Sequence, residues 1–98
     1  MPSLVYSEHA LDDLQRLAEF LVKDDPATAG ATASLIRQAL EILEAHPLIG
    51  RTTDGDLREL IISRGRSGYI ALYEYVAAAD RVIVHGIRHQ REAGFEEV

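Results

Sequence analysis

The chain has 98 residues, 47% hydrophobic and 27% charged, a mix that suits one small globular domain, 1–98, and excludes a disordered chain. It contains no cysteine, so a disulfide framework and a cysteine-type zinc site are excluded, and a domain this small leaves no room for a large buried cofactor; none is expected. The formal net charge of −6 argues against tight nonspecific nucleic-acid binding.

Residues 3–6, SLVY, form a short apolar run suited to an edge strand. Ser7 then reads as a helix N-cap with Glu8 in the first turn. Leu11, Leu14, Leu17, Ala18, Leu21 and Val22 recur at helical spacing, with Asp12, Asp13, Gln15, Arg16 and Glu19 on the other face. The spacing predicts an amphipathic helix over 8–23, with Phe20 off the stripe. Asp25 before Pro26 reads as the cap of a second helix. Ala29, Ala33, Ile36, Leu40 and Leu43 carry its stripe until Pro47 stops it. The small residues of ATAGATAS are expected to let the two helices of this hairpin approach closely.

After the loop HPLIGRTTDGD, in which Gly50 is expected to adopt positive φ and Arg51 to hold the loop, the period changes to two. LRELIIS (57–63), YIALYEYVA (69–77) and RVIVHGIRH (81–89) read as three strands joined by the turns RGRSG and AAD. Alternation places Tyr69, Ala71, Tyr73 and Tyr75 on one face of the middle strand, a stripe expected to pack and to present its hydroxyls to solvent. On the last strand it sets Val82 and Val84 beneath the helices and His85, Ile87 and His89 on the opposite face. The expected fold is α+β, in the order β-α-α-β-β-β, with the helical hairpin packed on a small, mostly antiparallel sheet.

Charge is uneven along the chain. Residues 57–91 hold Arg58, Arg64, Arg66, Arg81, Arg88 and Arg91 against only Glu59, Glu74 and Asp80, while Lys23 is the single lysine. An arginine cluster favours anionic or protein partners, through forked bonds to carboxylates and phosphates. His85 and His89, four apart on a strand, lie about 13 Å from one another. That is too far to share a metal ion, and no metal site is expected. No segment approaches the roughly 18 apolar residues of a membrane span, and no signal peptide is visible, so a soluble cytoplasmic protein is expected.

Five stretches in this order resemble the RelE/ParE toxin family over residues 3–92: SEHALDDL entering the first helix, LEAHPLIGR leaving the second, LREL opening the sheet, GYIALYEY, and VIVHGIRHQR. The resemblance implies the toxin of a type II toxin–antitoxin (plasmid stabilisation) module, neutralised by a cognate antitoxin with which it forms a dimer or heterotetramer. Members of the family act in two ways. ParE-like toxins inhibit DNA gyrase. RelE-like toxins are endoribonucleases that cut messenger RNA on the ribosome. One nuclease branch carries an Arg three residues before the Tyr of the middle strand; here Ile70 stands three before Tyr73. The other branch relies on lysines across the sheet. Both departures favour the gyrase-inhibiting, non-enzymatic branch. If the chain is a nuclease instead, Arg58, Arg64, Arg66 and His89 are the candidates for catalysis, with Arg58 otherwise pairing an acid such as Glu74. Residues 84–95, VHGIRHQREAGF, then read as a recognition surface. Partner binding is assigned to Arg64, Arg66, Tyr73, Arg88, His89 and Arg91, and Phe95 is a possible anchor.

Overall fold

The computed structural model describes residues 1–64 and 67–89. Among them, β1 (Ser3–Tyr6) leads into α1 (Glu8–Asp24) and α2 (Ala29–Ala45). Then follow β2 (Arg51–Thr52), β3 (Leu57–Arg64), β4 (Ser67–Val76), a 3-10 turn (Ala77–Ala79) and β5 (Arg81–His89). The sheet order is β1-β5-β4-β3-β2. The β1–β5 pair is parallel and the remaining pairs are antiparallel. The α+β architecture and the element order are as the sequence predicts, with the two-residue β2 added at one edge.

Local chemistry explains the junctions. Ser7 caps α1 by accepting from the Ala10 amide at 3.0 Å, while its own amide donates to the Val84 carbonyl at 3.0 Å. The turn from α1 to α2 differs from expectation. Asp25 ends α1 rather than starting α2, its amide donating to Leu21 O at 2.9 Å, and its carboxylate accepts from Thr28 Oγ1 at 2.7 Å. That side-chain bond holds 25–28 as a turn, so α2 starts at Ala29 instead of Pro26.

The buried face of α1 is rotated from the predicted stripe. Ala10, Asp13, Leu17 and Leu21 are buried and Phe20 packs on the core, whereas Leu11 and Val22 are 52% and 57% exposed. On α2, Ile36, Leu40 and Leu43 are buried as the pattern requires, together with Thr32. Against them the sheet sets Tyr69, Ala71, Tyr73, Val82, Val84 and Ile87. The tyrosines at 69 and 73 therefore pack as expected, but inside the core, and the Tyr73 hydroxyl meets backbone rather than solvent.

One irregularity resets the last strand. Tyr73 pairs with Val84, but Leu72 pairs with Gly86, leaving His85 as the extra residue of a β-bulge. Alternation slips by one there. Val82 and Val84 face the helices before the bulge, and Ile87 and His89 face them after it. The expectation that His85, Ile87 and His89 share the outer face is corrected accordingly: only His85 turns outward.

Candidate functional site: helical groove, open sheet face and a clamped loop

Three surface regions follow from this framework. The first is a groove of about 670 Å³ between the helices and β1, lined by Leu4, Tyr6, Leu17, Leu21, Ile36 and Leu40 and bordered by Arg37, Glu41 and Glu44. The small residues Gly30, Ala33 and Ser34 line it too. A methyl group added at Gly30 would meet nothing within 4 Å. These small side chains leave a trough open along the helices. Burial first, then the nearby carboxylates of Glu41 and Glu44, push the Tyr6 hydroxyl above its ordinary value, against a weaker opposing effect of Arg37. With two carboxylates against one guanidinium, the rim carries a negative formal charge.

The second region is the open face of the sheet at the bulge, a hollow of about 220 Å³ that His9, Glu59, Ile70, Leu72, His85 and Arg88 line. His85 Nε2 donates to Glu74 Oε1 at 3.2 Å, and His9 Nδ1 donates to the His85 carbonyl at 3.1 Å. Both partner oxygens can only accept, so these ring nitrogens carry the protons. Asp13, buried behind them, takes the Ile87 amide at 2.9 Å and the Arg16 guanidinium at 3.2 Å, and lies 3.4 Å from His9 Nδ1. It covers a stretch of β5 that β1, ending at Tyr6, does not reach. Gly86 eases that approach, since a Cβ there would lie 3.1 Å from Asp13 Oδ2 and the carboxylate would have to draw back by a few tenths of an ångström. Among the described residues no cluster of three or more His, Asp or Glu could hold a metal ion.

The third region is the loop that leaves α2. The Tyr73 hydroxyl donates to Pro47 O at 2.9 Å and accepts from Gly50 N at 2.8 Å. Arg58 Nη1 donates to Leu48 O at 3.1 Å and Gly50 O at 2.8 Å. Gly50 is required by crowding, not by positive φ: a Cβ would stand 2.6 Å from the Tyr73 hydroxyl and 2.8 Å from Glu59 O. Arg51 does not hold the loop; it pairs with Glu59 at 2.9 Å.

The sequence-predicted residues that are described fall in different places. Tyr73 is fully buried and serves the loop. His89 is 3% exposed, its ring edge-on to Tyr69 at 4.9 Å and tilted on Phe20 at 5.2 Å. Neither offers a surface to a partner in this conformation. Arg58 spends its guanidinium on backbone carbonyls rather than on an acid. Arg88 is exposed beside the hollow. Arg64 ends β3 opposite Ser67. Arg66, Arg91 and Phe95 lie outside the described residues. Asp13, His9 and Glu74 were not singled out by the sequence. The one available signal was Gly86, a glycine inside an apolar strand, which marks a bulge or a close approach.

Residues 4–94 match the family described as the ParE toxin of type II toxin–antitoxin systems, parDE. The toxin RelE3 of Caulobacter vibrioides is 33% identical over 92 residues, which span 94% of this chain and 98% of the relative. Among solved structures, the chromosomal ParDE system from P. aeruginosa superposes with a TM-score of 0.75 at 21% identity, over 89% of this chain and 94% of that one. The intact E. coli RelBE toxin–antitoxin complex superposes with a TM-score of 0.65 at 17% identity, over the same shares of the two chains. Such distant structures speak for the fold alone, but the sequence matches extend over nearly the whole length. The chain belongs to the ParE toxin family of type II toxin–antitoxin systems.

Proposed function

We propose that the chain is a single toxin domain that acts in the cytoplasm by inhibiting DNA gyrase, without chemistry of its own, until an antitoxin occupies the helical groove. The observation that carries the non-enzymatic reading is the use made of two of the four candidate catalytic side chains, Arg58 and His89. RNA cleavage needs a base, an acid and a cation at the phosphate. Here the Arg58 guanidinium is bound to Leu48 O and Gly50 O, and His89 is packed between Phe20 and Tyr69. The groove supports the antitoxin part: it is apolar along its floor and acidic at its rim, so it suits an amphipathic segment with basic flanks. The structural neighbours include toxin–antitoxin assemblies.

A ribosome-dependent nuclease is the second reading, favoured by the hollow on the open sheet face. There His85, oriented by Glu74, stands with His9 and Arg88. Expression of the chain in a sensitive bacterium separates the two. Gyrase inhibition predicts filamentous cells with a DNA-damage response; nuclease action predicts translation arrest with cut messages. Coexpression with the product of the neighbouring gene is expected to restore growth and to yield a copurifying dimer or heterotetramer. A chain that stays monomeric and toxic beside that product would count against the module.

A further inference from the structure

Leu48 and Ile49 are 58% and 57% exposed, two large aliphatic side chains side by side on a loop. Exposed aliphatics are common singly and need no explanation. What sets this pair apart is the backbone beneath it. Four hydrogen bonds from Tyr73 and Arg58 fix Pro47, Leu48 and Gly50, and Ile49 N donates to His46 O at 3.2 Å. Gly50 lets Tyr73 and Glu59 close in. A loop held this firmly has already lost the conformational freedom that binding would otherwise take from it, which is the property of an anchor residue in a protein interface. The core tyrosine and the sheet arginine thus work to present two side chains that contribute nothing to the core themselves.

We propose that Leu48 and Ile49 are the anchor by which this chain engages its target protein, inserting into an apolar pocket with basic side chains at its rim. The proposal rests on the reading of the chain as a toxin that acts on a protein, and it assigns the target a surface different from the antitoxin groove, which neither residue lines. Charge selects the occupant. Leu48 shares a cleft with Asp56 and Arg58, and Asp54 lies on the same exposed loop as Asp56. The nearby Arg51 is tied to Glu59, and Arg58 points its guanidinium at the loop carbonyls. A second copy of the chain, docked knob to knob, would bring these aspartates together, and like charges at a contact disfavour it. Two aliphatic side chains also cover far less than the roughly 800 Å² per partner of a standard stable interface, so they fit a pocket rather than a flat dimer face.

The test compares growth arrest by the wild-type chain, the double variant Leu48→Ser/Ile49→Ser, and a control, Leu11→Ser/Val22→Ser. The control removes aliphatics of similar exposure from α1, outside the groove. Each is titrated in the same inducible strain, with binding to the cognate antitoxin and thermal melting measured on purified protein. The knob variant is expected to lose toxic potency at least about tenfold. Its melting temperature and antitoxin affinity stay at the wild-type values, and the control remains as toxic as wild type. A knob variant as toxic as wild type overturns the proposal, as does a parallel loss of antitoxin affinity or an equal loss in the control. Wild-type chain that arrests growth yet leaves gyrase unaffected sinks the gyrase reading alone, and the knob result then still stands on growth. Wild-type chain that arrests nothing overturns both.

Discussion

Ala33→Glu is expected to weaken binding of the cognate antitoxin by about 100-fold while leaving the free chain folded. Ala33 lies on the exposed side of α2 and lines the groove, so the new side chain meets solvent in the free protein. Substitutions at such positions shift stability by no more than about 0.5 kcal/mol. In the complex the carboxylate would be covered by an apolar segment, in a groove whose far end already carries Glu41 and Glu44. An unpaired charge buried in an interface costs several kcal/mol. Ala33→Ser, which adds one small hydroxyl, is expected to bind within a few-fold of wild type. Isothermal titration or biolayer measurements of both variants check the point. Unchanged affinity for Ala33→Glu would place the antitoxin elsewhere.

The second large effect is on stability. Asp13→Ala is expected to cost about 3 kcal/mol, from a lost charge-assisted bond and a buried amide left without an acceptor. For a domain of this size that lowers the melting temperature by roughly 15 °C. The carboxylate takes the Ile87 amide at 2.9 Å, where β5 runs beyond the end of β1, and the same group is bound by Arg16. Asp13→Asn keeps an oxygen acceptor and is expected to cost about 1 kcal/mol. Thermal melts of the two variants decide it: an alanine variant that melts within a degree or two of wild type would show that the Ile87 amide needs no partner there.

These two sites also show what the sequence could and could not reveal. The strands and helices were legible because period and punctuation agree: Ser7 before α1, Pro47 after α2, and alternation over 57–63 and 69–77. The rotation of α1 was not. Ala10, Asp13, Leu17 and Phe20–Leu21 make as regular a stripe as the leucines, but an aspartate in a stripe reads as solvent-facing until its partner is known. Phe20, apparently off the stripe, was the clue. The bulge at His85 escaped for a related reason. One inserted residue is signalled only by the neighbouring Gly86, yet it exchanges the faces of Ile87 and His89. It also turned a predicted recognition histidine into a buried one and left His85, Glu74 and His9 on the open face instead. Tyr73 was misplaced because a tyrosine fits either environment. Its burial depends on finding Pro47 O and Gly50 N for the hydroxyl, 26 and 23 residues away.

The central claim is that the chain acts on gyrase and not on message. The direct measurement is DNA supercoiling by purified gyrase with increasing amounts of purified chain, run beside ribosomes programmed with a defined message. Inhibition of gyrase predicts dose-dependent loss of supercoiling, reversed by the antitoxin, with the message intact. Supercoiling that proceeds normally while the ribosome-bound message is cut would contradict it.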